Sequence, residues 1–171
     1  MRKEFLILKY YKLINGDLLD IETKYIVHQC NCVSTTSGGI ATDIFAKFPW
    51  ANIYSHRENV SLEQLPFEDE KPGEIVIKGN GSSERYVINL MGQYYPGSPR
   101  YPESLVDGYS ARISYFKQGL IKIIQLPDLE SVAFPYKIGC GIAGGDWDIY
   151  DAFINLFAKK TKAEVIICKK D

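Results

Sequence analysis

The sequence has no surplus of positive charge: 20 Lys and Arg stand against 21 Asp and Glu, a formal net charge of −1 over 171 residues. A field strong enough to dominate nucleic-acid affinity needs such a surplus, so any nucleic-acid contact is expected to be local. No apolar run is long enough to cross a bilayer. A signal segment is also missing, and there are only four cysteines, so the chain reads as the product of a reducing compartment with no membrane partner. Cytoplasm is the expected setting, with nuclear access left open. Neither an internal repeat nor a linker divides the chain, which predicts one domain over 1–171, large enough to bury a core without staples.

Against these absences stand two glycine-rich turns, each placed where an apolar strand gives way to a helix. Ser37-Gly38-Gly39-Ile40-Ala41 follows Tyr25 to Cys32, and Gly139-Cys140-Gly141-Ile142-Ala143-Gly144-Gly145 follows Val132 to Ile138. A turn without Cβ atoms lets backbone N–H groups approach an anion, and a following helix N-terminus adds unsatisfied donors and a favourable dipole. Two such turns suggest a diphosphate gripped from both sides. The plainer alternative is that the glycines only permit tight packing.

Periodicity predicts strands alternating with helices. Phe5 to Leu8, Tyr10 to Ile14, Tyr25 to Cys32, Val132 to Ile138 and Glu164 to Cys168 read as strands. Glu74 to Lys78 with Arg85 to Leu90 read as a hairpin around Asn80-Gly81-Ser82-Ser83. Helical spacing runs from Gly39 to Phe48 and stops at Pro49. A long helix lies within Pro102 to Gln125, weakened by Gly108 and Gly119. Asp146 can N-cap a last helix through Lys159 whose apolar stripe is Ile149, Ala152, Phe153, Leu156 and Phe157. The polar stretch Ser61 to Gly73 reads as a surface excursion.

Gly139, Gly141 and Gly144 also fit Gly-x-Gly-x-x-Gly, the dinucleotide fingerprint. That fingerprint belongs on the first strand of a doubly wound sheet, and here only one strand follows it. His28, Cys30 and Cys32 alternate along one strand and so share a face, which invites a metal reading. No fourth ligand is apparent, and cysteines in apolar strands are usually small buried hydrophobes, so neither a metal nor another cofactor is expected.

The order Asn15-Gly16-Asp17-Leu18, Val27-His28-Gln29-Cys30-Asn31-Cys32, Gly38-Gly39-Ile40-Ala41, Phe48-Pro49 and Gly139 to Trp147 resembles the macro domains, modules that bind ADP-ribose. The likeness covers nearly the whole chain. Within that family the His-x-Cys-Asn-Cys stretch and Ile-Gly-Cys-Gly turn look most like the branch of ADP-ribose 1″-phosphate phosphatases and terminal ADP-ribose glycohydrolases. Val87 to Gln93 with Arg100-Tyr101 is similar to Appr-1″-p-processing relatives. The resemblance implies an α/β fold of three layers, α/β/α, around a mixed, mostly parallel sheet of about six strands.

It also implies roles. Asp17, with Leu18 beside it, would accept a hydrogen bond from the adenine amino group, although Asn-Gly-Asp is also turn-forming. Asn31 would contact the distal ribose through both donor and acceptor. Ser37, Gly38, Gly39 and Ile40 would form one diphosphate loop, and Gly139, Cys140, Gly141, Ile142, Ala143 and Gly144 the other. His28 would activate water beside the distal phosphate, and its plainer alternative is a buried imidazole bonded across the sheet. The glycohydrolase branch uses a lysine after the central strand and an aspartate in the second loop, where this chain has Gly92-Gln93 and Ala143. The expected function is therefore binding of ADP-ribose with hydrolysis of ADP-ribose 1″-phosphate to ADP-ribose and phosphate. A non-catalytic reader of ADP-ribosylated protein or nucleic acid, and a mono-ADP-ribosyl hydrolase, are the alternatives.

Overall fold

A computed structural model describes residues 7–171 of the chain. Six strands form one sheet in the order β1-β6-β5-β2-β4-β3: β1 (Lys12–Asn15), β2 (Tyr25–Asn31), β3 (Ile75–Lys78), β4 (Tyr86–Gln93), β5 (Ser131–Pro135) and β6 (Glu164–Lys169). All neighbours pair in parallel except β3 on β4, so the sheet is mixed and mostly parallel as expected. The helices are α1 (Ile40–Lys47), α2 (Tyr109–Ile124) and α3 (Trp147–Lys160).

Side chains alternate across a strand, and the two cores separate accordingly. Ile26, Val87, Met91, Ala133 and Ile166 join Ile44 and Phe45 of α1 in one cluster. Val27, Ile88, Leu90, Phe134 and Ile167 join Phe116 of α2 and Ile154 of α3 in the other. Three layers follow from this period: one helix below the sheet and two above.

Some expectations shift. Of the expected strand Phe5 to Leu8, Phe5 and Leu6 lie outside the described residues, while Ile7 and Leu8 are exposed and outside any strand. Asp146 does cap α3, accepting from the Asp148 N–H, but the buried stripe is Tyr150, Ile154, Phe157 and Ala158. Ala152, Ile149 and Leu156 face solvent. The displacement arises because Tyr150, a polar-tipped ring, packs its body against Phe116 at a centroid distance of 4.7 Å. Gly108 is the N-cap of α2 rather than an interior weakness. At Gly119 a Cβ would stand 2.5 Å from Leu90 Cγ, so helix and sheet touch there because the side chain is missing.

Candidate functional site

β2 and β5 are neighbours, so the two glycine turns that follow them meet at the C-terminal edge of the sheet, where open α/β sheets bind ligands. Between them lies a cleft of about 350 Å³. Asn31, Gly38, Gly39, Ile40, Gly139, Gly141, Ile142 and Ala143 all line it, eight of the residues singled out from the sequence. The turns approach each other closely: a Cβ on Gly39 would stand 3.3 Å from Ile142 Cδ1.

The donors of the second turn are available. Cys140, Gly144 and Gly145 donate their N–H groups to Lys137, Gly141 and Gly139 carbonyls, which leaves the N–H groups of Gly141 to Ala143 without an acceptor among the described residues. On the other side α1 begins at Ile40, behind Gly39, whose φ is 56° and which supplies no side-chain cap. The first N–H groups of a helix have no intrahelical acceptor. Each side of the cleft thus presents free backbone donors, the arrangement that holds phosphate oxygens.

Asn31 departs from expectation in its chemistry. Its Oδ1 accepts from the Val33 and Ser34 N–H groups at 3.1 and 2.8 Å, and its Nδ2 donates to the Tyr54 hydroxyl at 3.2 Å. The oxygen is consumed by an Asx turn, so the amide offers a ligand one N–H. Beneath this corner Arg57 is fully buried. It pairs with Glu70 at 2.8 Å, donates to the Asn31 and Ser34 carbonyls at 3.1 and 3.0 Å, and stacks 4.8 Å from the Tyr54 ring centroid. The stretch Ser61 to Gly73 is therefore not merely superficial, because it delivers Glu70 to the interior.

His28 does not reach the cleft. Its Nε2 lies 2.6 Å from Asn89 Oδ1 on β4, its ring packs edge-on against Phe45 at 5.3 Å, and it is fully buried. Asn89 Nδ2 is committed to the Ala51 and Val76 carbonyls, so Oδ1 faces the imidazole and His28 Nε2 carries the proton. The buried imidazole bonded across the sheet is what the fold contains, and a general base for cleft water is not. Burial pushes the His28 pKa down to about 4, with the Asn89 bond opposing. An unfolded histidine titrates near the ordinary 6.5, so between those values the unfolded chain binds more protons. This contribution is complete above about pH 6.5 and is lost as pH falls towards 4, by about 3 kcal/mol in total. Urea unfolding at pH 7.5, 5.5 and 4.5 should show that loss, and His28→Gln should flatten it; an equal slope in both proteins would contradict the assignment.

Other expected residues also stand off the cleft lining. Leu18 is core, 3% exposed. Asp17 caps a short 3-10 turn through the Leu19 N–H and pairs with Lys170 at 3.0 Å; the bond from Leu19 and the ammonium of Lys170 hold its carboxyl below the usual range. Ser37 accepts from the Thr42 hydroxyl. Cys140 packs against the core above the sheet, and burial raises its thiol to about 12. Gly144, at φ 77°, faces a neighbouring hollow with Tyr109 and Asp146.

Sequence reasoning missed several lining residues. Lys137 is the one charged side chain in the lining; its left-handed φ of 61° is unusual for a non-glycine and carries no signature in the sequence. Gln29 and Gln93 bridge the floor at 2.8 Å, and Gln93 Nε2 continues to the Tyr95 carbonyl at 2.9 Å. Gly92 allows this: a Cβ there would stand 2.4 Å from Gln29 Oε1. No Asp, Glu or His lines the cleft among the described residues. The arrangement can hold an anion by backbone donors, with the Lys137 ammonium as the charged group beside them.

The family profile described as Macro domain matches residues 27–153. A 17.5 kDa protein from the tk-vs intergenic region of Enterobacteria phage T4 is 24% identical over 165 residues, covering 91% of this chain and 94% of that protein. A DNA ADP-ribosyl glycohydrolase of Mycobacterium tuberculosis is 24% identical over 164 residues, covering 90% of this chain and 40% of the relative, so the chain spans well under half that protein. Among solved structures, the macrodomain of Mycobacterium tuberculosis DarG superposes with a TM-score of 0.66 at 24% identity, covering 92% of this chain and 96% of the other. Thermosipho africanus DarTG in complex with ADP-ribose gives 0.67 at 17%, covering 92% and 40%.

Proposed function

Because the chain belongs to the macro domain family, we propose that its cleft binds ADP-ribosyl groups. The observation that carries this reading is the convergence of two glycine turns, far apart in sequence, on one cleft with free backbone donors on both sides. The solved complex of Thermosipho africanus DarTG with ADP-ribose, which shares this fold, supports the ligand.

Reading, meaning binding without turnover, is the activity the geometry supports best. Hydrolysis of ADP-ribose 1″-phosphate to ADP-ribose and phosphate would need a base beside the phosphate, and His28 is sealed against Phe45 and Asn89. A second reading, removal of ADP-ribose from a macromolecule, is favoured by the activity in the mycobacterial relative's name. Incubation with ADP-ribose 1″-phosphate, mono-ADP-ribosylated protein and ADP-ribosylated DNA, following phosphate and free ADP-ribose, separates them. A reader yields neither product; release of free ADP-ribose from protein or DNA would establish the glycohydrolase instead.

In this reading Asp17 accepts the adenine amino group once Lys170 yields its place. Asp17→Ala should weaken adenine-containing ligands by about 1.5 to 3 kcal/mol, the net worth of a hydrogen bond to a charged acceptor. An unchanged dissociation constant would remove Asp17 from the site.

A further inference from the structure

We propose that Arg112 is a positioning residue that fixes the loop after β4 against the second glycine turn at one end of the cleft, and thereby selects ligands carrying the second ribose over shorter nucleotides. The inference rests on the ADP-ribose reading for its ligand. Its structural basis is independent of that reading.

Arg112 lies in the first turn of α2 and is 2% exposed. Its Nε and Nη2 grip both oxygens of Asp107 at 3.0 and 2.7 Å. Nη1 donates to the Gly97 carbonyl at 2.6 Å and the Ala143 carbonyl at 3.3 Å, and Nη2 donates to the Tyr95 carbonyl at 3.1 Å. A guanidinium has five N–H donors, and here each has an acceptor. Asp107 is equally committed, since its oxygens also accept from the Tyr94 and Tyr95 N–H groups at 2.7 and 3.2 Å.

Gly97 and Ala143 both line the cleft, one from the loop after β4 and the other from the second glycine turn. One side chain therefore ties together two walls that are distant in sequence. A second tie, from the Ser98 hydroxyl to the Ile142 carbonyl at 3.1 Å, is exposed, so water competes for it. The guanidinium is itself held firmly by Asp107, Tyr95 and Gly97, and its bond to Ala143 extends that fixed wall to the second glycine turn. Lysine cannot replace it, because three donors on a flexible stem do not reproduce a planar fork.

In the ADP-ribose reading the diphosphate is held by the glycine turns, and the second ribose lies against the wall that Gly97 and Ala143 form together, their carbonyls joined by one guanidinium nitrogen. Releasing the clamp should therefore cost ADP-ribose more than ADP. Arg112→Lys tests this with the charge kept, and Arg112→Met combined with Asp107→Asn tests it without a stranded charge, so a folded variant is available either way. Calorimetry with ADP and ADP-ribose should show ADP-ribose affinity reduced roughly 10- to 100-fold and ADP affinity nearly unchanged. Hydrogen exchange of the ligand-free variants should accelerate at Tyr95 to Ser98 and Gly139 to Gly145 while β2 and β4 stay protected. Folded variants that bind both ligands like wild type, or exchange like it, would overturn the proposal, as would equal loss for both ligands. Wild type that binds no ADP-ribose would instead overturn the ligand reading and the selectivity built on it, with hydrogen exchange still deciding whether the clamp exists.

Discussion

Gly141→Glu should abolish ADP-ribose binding while leaving the fold intact. Gly141 lines the cleft, its φ lies outside the left-handed region, and a Cβ there would meet no atom within 4 Å. The glutamate therefore enters open space without backbone strain, and stability should change by no more than about 0.5 kcal/mol. What it meets is the ligand: like charges placed together at a binding surface cost several kcal/mol, enough to weaken binding at least about 100-fold. Gly39→Glu would be a poorer probe, since φ 56° and the 3.3 Å approach to Ile142 add strain of their own. Retained affinity in a native Gly141→Glu protein would mean that the glycines serve packing alone.

Glu70→Ala should be the most damaging single change to stability. Arg57 has no exposure to solvent, and Glu70 is its only carboxylate partner within ion-pair distance among the described residues. Removing one partner of a buried pair strands the other charge and costs about 3 to 5 kcal/mol, which for a chain of this length corresponds to a melting temperature lower by roughly 10 °C. Glu70→Gln, which keeps an acceptor, should recover part of the loss. A melting temperature within a degree or two of wild type for Glu70→Ala would show that the pair is solvated.

The contrast between these two residues shows what a sequence can reveal. Gly141 was legible as part of a tight turn because a glycine run after an apolar strand marks one whether it serves packing or a ligand, and the strands themselves were legible because β2, β4, β5 and β6 are rich in apolar residues, as buried parallel strands must be. Arg57, Glu70, Arg112 and Asp107 were not, because buried ions look like surface ions until their partners are known, and each guanidinium finds acceptors on segments that only the fold brings near. His28 fell between these cases. Its spacing placed it on the correct strand, but whether that face meets the cleft or α1 depends on packing, and Phe45 decides it. The residue opposite the Cys30–Asn31 step was equally hidden, since the register there shifts past Gly92.

The most direct test of the central claim is calorimetry of the full chain with ADP-ribose and with AMP in the same buffer. A cleft that grips a diphosphate between the Gly38-Gly39 and Gly141-to-Ala143 turns and places a sugar beyond it should bind ADP-ribose at least about 100-fold more tightly than AMP. Equal affinity for the two, or no heat with ADP-ribose, would contradict it.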